Sequence, residues 1–215
     1  EIEHPSFEDY LESKMKIIDQ SQEVIISLDM DYLDRIKEKT KDRDKNIKTF
    51  SISNYNADIF AKDIHHDHLE TSFTVVQDGE EQEFTIKEPG DFNIENALCA
   101  IFIARRFGVD DKSIHEGLLS AVVEGRNIVF ESDDEKIVVW ITYAHNGLSF
   151  DKSYETIRQI YGDIKIISIF GAPGDKAQPR MNDLSRIGGE NSDYIFIVPD
   201  DSGSKPFEEI AKAMA

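Results

Sequence analysis

A single cysteine, Cys99, stands among 215 residues. It excludes an internal disulfide, and a chain that makes so little use of thiols is expected in the cytoplasm. Basic residues are scarce beside acidic ones: 24 Lys and Arg against 43 Asp and Glu, a formal net charge of −19. That deficit argues against a nucleic-acid backbone or an anionic membrane as partner. The acidity is spread along the chain, not gathered in a tail, and reads as a solvated surface. No apolar run reaches the ~20 residues of a membrane-spanning helix, and no signal peptide is visible. The chain has no initiator Met and opens on Glu1-Ile2-Glu3-His4-Pro5, so a piece of a longer protein is expected. What is present is core material. Hydrophobic residues make up 40%, with 13 Phe, enough for one large or two small domains.

Periodicity divides the chain. Pro5-Ser6-Phe7-Glu8-Asp9-Tyr10 starts a helix capped by Ser6, with Phe7, Tyr10, Leu11, Met15 and Ile18 expected on its buried side. Glu23 to Asp29 reads as a buried strand, Asp31 to Lys41 as a polar helix and Lys48 to Ser53 as a strand, an α/β order. From Ala57 to Lys87 apolar and polar residues alternate about the hairpin turn Asp78-Gly79, which predicts an antiparallel ribbon. His65, His66 and His68 cluster at its first turn. No second ligand group is spaced to complete a metal site, so solvated turn histidines are expected.

After Val122-Val123-Glu124-Gly125-Arg126 the strand–helix alternation restarts, which places a domain boundary between residues 123 and 124. Lys136 to Tyr143, Lys165 to Phe170 and Tyr194 to Val198 read as buried strands. Ser149 to Tyr161, Asn182 to Glu190 and Pro206 to Ala213 read as helices. Such units predict a doubly wound parallel sheet, whose ligands sit at the carboxyl ends of the strands. Thr142-Tyr143-Ala144-His145-Asn146, Gly171 to Lys176 and Asp200-Asp201 fall there.

The strongest helical pattern opens at Gly90-Asp91-Phe92-Asn93-Ile94-Glu95-Asn96-Ala97, with Asp91 as a possible cap. Asn93 and Asn96, three residues apart, share a face. Amides there could read a heterocycle such as adenine, or they could satisfy the helix end.

In this order, the motifs resemble those of the Mur ligases, which form amide bonds with ATP in peptidoglycan precursor synthesis. Glu3-His4-Pro5 with Tyr10-Leu11-Glu12-Ser13-Lys14 resembles D-H…Y-x-x-A-K. Gly90 to Ala97 resembles G-x-F-N-x-x-N-A, and Gly125-Arg126 resembles G-R-M-E. Tyr143-Ala144-His145-Asn146 resembles D-Y-A-H-N-P, and Phe170 to Lys176 resembles F-G-x-x-G-D-[KR]. The branch most similar adds the third residue of the stem peptide to UDP-N-acetylmuramoyl-dipeptide. The resemblance implies an α/β chain with two parts. Residues 1–123 would be the second half of a central ATPase domain with a small antiparallel ribbon. Residues 124–215 would be a Rossmann-like C-terminal domain with a parallel sheet, incomplete at its end. No G-x-x-x-x-G-K-[ST] occurs in the sequence, so the match starts beyond the family's P-loop and this piece alone is expected to be inactive.

The resemblance further implies an acyl phosphate made from a carboxylate and ATP, then attacked by an amine. ATP and Mg2+ are the implied cofactors. A UDP-muramoyl-peptide, an amino acid and ATP are the implied partners of a monomer. His4 matches a metal-binding histidine. Lys14 matches a lysine carbamylated to become an anionic oxygen ligand; otherwise it is a surface lysine. Asn93 and Asn96 match residues beside adenine, Arg126 one that reaches the phosphates, and Tyr143 with His145 the nucleotide-facing motif of the C-terminal domain.

Some residues depart from the pattern. Thr142 replaces an acidic residue that meets the ribose, Gly147 replaces a proline, and Asn127-Ile128 replaces Met-Glu. Asp200-Asp201-Ser202-Gly203 replaces the D-N-P-R that signals diaminopimelate. The lost arginine removes a carboxylate clamp, so Asp200 and Asp201 are expected to suit lysine or another diamino acid. A diverged paralogue with another acceptor, or a non-catalytic binding protein, stays open.

Overall fold

Ser6 accepts a hydrogen bond from the Asp9 amide at 3.1 Å and caps the first helix, as the sequence predicts. The structure is a computed structural model that describes residues 4–41, 46–67, 70–121, 125–134, 136–174 and 178–215. The chain forms two compact units, residues 1–122 and 123–215. The boundary expected between residues 123 and 124 lies outside the described residues.

The first unit runs α1 (Phe7–Gln20), β1 (Glu23–Ser27), α2 (Leu33–Thr40), β2 (Asn46–Ser51), β3 (Ile59–His66), β4 (Thr71–Gln77), β5 (Glu80–Ile86), α3 (Asp91–Arg106) and α4 (Asp111–Ser120). Its five strands form one sheet in sequence order. β1, β2 and β3 are parallel neighbours, and β3, β4 and β5 are antiparallel. The expected ribbon is therefore an extension of the parallel sheet. Asp78 and Gly79 turn it with φ of 53° and 85°, the left-handed pair that a tight hairpin needs. Phe73, Val75 and Phe84 of the ribbon meet Ile94, Leu98 and Ile101 of α3 in the core, each buried side chain contributing about 1.5–3 kcal/mol. Cys99 is half-buried in α3, and burial pushes its thiol up.

Two expectations for this unit are corrected. Only Met15 and Ile18 of α1 are buried, while Phe7 and Tyr10 are exposed. Phe7 instead packs on Tyr32 beside α2, ring centroids 5.2 Å apart. Asp91 does not cap α3: Gly90 is the N-cap, with no side-chain bond.

The second unit runs β6 (Ile128–Glu131), β7 (Val138–Ile141), α5 (Gly147–Tyr161), β8 (Ile167–Phe170), α6 (Gln178–Asn191), β9 (Tyr194–Ile197) and α7 (Phe207–Met214). β8 and β9 are parallel, as expected. β7 pairs antiparallel with β6, a strand the sequence reading did not predict, so the described strands of this unit form two separate pairs where one doubly wound parallel sheet was expected. These strands alternate and are not buried on both faces. Phe170 and Ile197 pack with Phe150, Leu184 and Ile210 of the helices, while Ile167, Ile169, Tyr194 and Phe196 are exposed. Among the described residues, no helix is long and apolar enough to cross a membrane.

Candidate functional site

Each unit carries its own group of candidate residues. In the first, α1 brings His4 and Lys14 to one aromatic ring. The His4 imidazole meets Tyr10 edge-on with centroids 5.4 Å apart, and Lys14 Nζ lies 5.4 Å from the same ring centroid. The i, i+4 spacing of Tyr10 and Lys14 makes this possible. His4 Nδ1 also pairs with Asp9 Oδ2 at 2.8 Å. Lys14 is exposed, and an ammonium over a ring face is favoured by the ring's negative quadrupole. Among the described residues, no group of three or more His, Cys, Asp or Glu side chains is placed to hold a metal ion. His4 and Lys14 therefore fit a divalent cation only in part. One imidazole nitrogen is committed to Asp9, and an amine is no oxygen ligand until it carries a carbamate.

The two amides of α3 part company. Asn93 is buried, and its Nδ2 donates to the Pro89 carbonyl at 2.8 Å, so it holds the helix entry. Asn96 is exposed. Between them, Glu95 accepts from Ser27 Oγ at 3.0 Å, which ties α3 to the carboxyl end of β1. Glu88, just before the turn, is half-buried, and burial pushes its carboxyl up.

Two residues of this unit escaped the sequence reading. Asp29 binds the ends of β1 and β2 together, accepting from Ser51 Oγ at 2.7 and 2.8 Å, from the Ile52 amide at 2.7 Å and from Ser53 Oγ. The spaced serines of Ser51-Ile52-Ser53 were the available signal. His66 is the other. It does not lie in a solvated turn; it belongs to β3 and bonds both Asp91 and Thr71. His65 is exposed, and His68 lies outside the described residues.

In the second unit the structure gathers three predicted residues. The Arg126 guanidinium stacks on Tyr143, 4.6 Å from its centroid. Tyr143 and His145 have ring centroids 5.0 Å apart. His145 Nδ1 donates to the Tyr143 carbonyl at 2.9 Å, which leaves Nε2 as the nitrogen pointing away. Asn146 and Ser149 then form a reciprocal capping box on α5. The column thus sits at the carboxyl end of β7, beside a helix N-terminus suited to anions.

The departures have local reasons. Asn127 has φ 49°, a left-handed conformation that Asn tolerates far better than Met. Thr142 Oγ1 accepts from the Ala144 amide at 3.2 Å and shapes its own loop. A Cβ on Gly147 would lie 3.2 Å from the Asp183 Cβ.

At the ends of β8 and β9, a Cβ on Gly171 would fall 2.3 Å from the Val198 carbonyl oxygen, and one on Gly174 would fall 2.2 Å from that of Ser202. The Gly174 amide donates to the Asp201 carbonyl at 3.0 Å. Asp200 and Asp201 are exposed on the loop so braced. The α7 N-cap is Pro206, with no side-chain cap bond, so neither aspartate caps that helix. Asp175 and Lys176 of the expected motif lie outside the described residues.

Residues 3–104 match the Mur ligase middle domain, and residues 125–215 match the Mur ligase glutamate ligase domain. Two relatives are similar over nearly the whole chain. The UDP-N-acetylmuramoyl-L-alanyl-D-glutamate–L-lysine ligase of Streptococcus thermophilus is 30% identical over 95% of this chain and 40% of its own. The corresponding 2,6-diaminopimelate ligase of Clostridium perfringens is 31% identical over 94% of this chain and 42% of its own. Among solved structures, MurF ligase from Thermotoga maritima in complex with ADP aligns with a TM-score of 0.66 at 19% identity, over 95% of this chain and 46% of that one. The chain thus spans about two fifths of the length of the curated relatives it matches. With both domain types matched in order and the fold shared, the chain belongs to the Mur ligase family.

Proposed function

We propose that this chain forms the nucleotide- and acceptor-facing parts of a cytoplasmic, monomeric, ADP-forming ligase that adds a diamino acid to UDP-N-acetylmuramoyl-dipeptide through an acyl phosphate. The observation that carries this reading is the Arg126–Tyr143–His145 column at the carboxyl end of β7. Arg126 offers a planar cation to phosphate oxygens, Tyr143 an exposed face, and His145 its Nε2. From the first unit, Asn96 offers a free-standing amide to adenine, and buried Asn93 keeps the turn that presents it. Mg2+ supplies charge neutralisation on the phosphates when bound. His4 and a carbamylated Lys14 would be its ligands from this chain. Without a P-loop, residues 1–215 alone turn over no ATP, which an ADP-release assay checks.

The relatives include both a lysine-adding and a diaminopimelate-adding enzyme at nearly equal identity, so overall similarity does not choose the acceptor. The loop chemistry favours lysine or ornithine. A distal ammonium would gain charge-assisted bonds from Asp200 and Asp201, each about 1.5–3 kcal/mol when well placed, and a distal carboxylate would meet like charge. A second reading, a diverged ligase with another acceptor or a binding protein without catalysis, is favoured by Thr142, whose hydroxyl accepts from its own loop and cannot hold a ribose diol bidentately as a carboxylate would. The deciding measurement is kcat/KM of the whole protein for L-lysine, L-ornithine and meso-diaminopimelate with one UDP-muramoyl-dipeptide. Lysine or ornithine should lead, and Asp201→Arg should erode that lead. A lead for diaminopimelate would overturn the acceptor assignment, and no amide with any of the three would favour the second reading.

A further inference from the structure

A bulge decides which way His66 faces. Ile59 and Ala61 point into the core from odd-numbered positions of β3. Lys62 then pairs with Thr74 but His65 with Ser72, so β3 advances three residues while β4 advances two. Asp63 takes φ 50° within this irregularity. One extra residue reverses the alternation of side chains along a strand. Past the bulge it is even-numbered His66 that turns inward, its side chain 10% exposed, while His65 faces solvent.

Inward, His66 joins two elements. Its Nε2 donates to Asp91 Oδ1 at 2.9 Å, and its Nδ1 meets Thr71 Oγ1 at 3.1 Å. Thr71 is fully buried on β4. Asp91 is the first residue of α3, where a carboxylate also suits the positive helix end. The N-cap, Gly90, has no side chain and a φ of 102°. Among the described residues, three side-chain ties hold this end of α3, one of them Ser27 to Glu95 from β1. Asn93 to Pro89 is local, and His66 to Asp91 reaches it from β3. With both ring nitrogens engaged, the imidazole has one orientation, and it passes that orientation to Asp91.

We propose that His66 is a positioning residue for nucleotide binding: through Asp91 it fixes the first turn of α3, and with it the direction in which Asn96 projects. The proposal rests on the nucleotide reading of Asn96 given above. His66 touches no ligand itself, and its effect is on where the exposed amide stands.

The test uses the whole protein with His66→Ala, His66→Gln and Asn96→Ala. It reads hydrogen exchange at the amides of residues 93–96 and the affinity for ADP. His66→Ala should speed exchange there and weaken ADP binding, each about fivefold or more. It should raise the KM for ATP while kcat at saturating ATP holds. His66→Gln, whose amide can donate to Asp91 from a similar place, should recover most of the affinity. A purely structural tie would lower the melting temperature and leave the ADP affinity of the folded protein unchanged, and that result overturns the proposal. Unchanged exchange in His66→Ala also overturns it. Unchanged ADP affinity in Asn96→Ala overturns the nucleotide reading of α3, whatever His66 does. Should His66→Ala fail to fold, Asp91→Ala, which removes the acceptor of the Nε2 bond, carries the same readouts.

Discussion

The Arg126 guanidinium lies over the ring of Tyr143 at 4.6 Å, and that ring is also the neighbour of His145. Tyr143 is 59% exposed, so the stack contributes little to stability, about 0.5–1 kcal/mol. Tyr143→Ala should therefore cost the fold about that much in denaturant unfolding. It should weaken nucleotide binding by a larger factor, because both neighbours lose their support. Tyr143→Phe keeps the face and should match the unmutated protein in both. Equal loss in the two variants would mean that the hydroxyl, not the ring, matters.

Arg105 joins the end of α3 to the start of α4. Its Nε and one terminal nitrogen bond the two oxygens of Asp111 at 2.7 and 2.9 Å, and the other terminal nitrogen bonds Gln77 at 3.0 Å. The side chain is 19% exposed, so solvent screens the pair less than most surface pairs. Arg105→Ala should cost about 1.5–3 kcal/mol. Arg105→Lys should recover only part of it, since an ammonium cannot span both oxygens and Gln77. Urea unfolding of the three proteins measures this; full recovery by lysine would show that charge alone suffices.

Tyr161 ties α5 to β6. Burial, and then the Glu131 carboxylate that accepts its hydroxyl at 3.1 Å, push its pKa up to about 12. An unfolded tyrosine loses its proton near pH 10. Between pH 10 and 12 the folded chain thus binds the extra proton. The stability this group contributes is whole below pH 10 and is lost as pH rises through that window. Tyr161→Phe should flatten the alkaline limb of stability against pH. It should also remove a tyrosine that titrates near pH 12 from an ultraviolet absorbance titration.

Lys14→Ala in the whole protein should abolish most ligase activity, and high bicarbonate should not restore it. The ring of Tyr10 holds the lysine on the same platform as His4, as a shared ligand role would need. Wild-type rates in Lys14→Ala would make it an ordinary surface lysine.

The sequence was most legible where the signal is local. Ser6 accepts the helix-capping bond expected of it, and Asp78-Gly79 turns its hairpin. It was least legible where one residue of slip changes a face. Nothing in Lys62-Asp63-Ile64-His65 announces the bulge, so His66 was read as solvated. Phe7 and Tyr10 fit a helical stripe, yet they sit outside the core because Tyr32 and Lys14 offer them partners at the surface. β6 was missed because its pairing with β7 is tertiary and its apolar run, Ile128-Val129-Phe130, is short. Of the candidate residues, the family resemblance assigned Arg126 and the Tyr143–His145 pair by separate motifs, and the fold stacks all three in one column. Motif spacing paired Asn93 with Asn96, and here burial separates them.

Gly171 and Gly174 leave no room for a single methyl group against the backbone of residues 198 and 202. The loop that carries Asp200 and Asp201 is thus clamped along its main chain while its side chains face solvent. Backbone packing sets the loop's shape there, and its exposed side chains set its charge separately. On the acceptor reading proposed above, replacing one or two of those side chains would change the amino acid preferred, with no new backbone and no refolding of its neighbour. Narrow specificity and easy respecification would then come from the same pair of glycines.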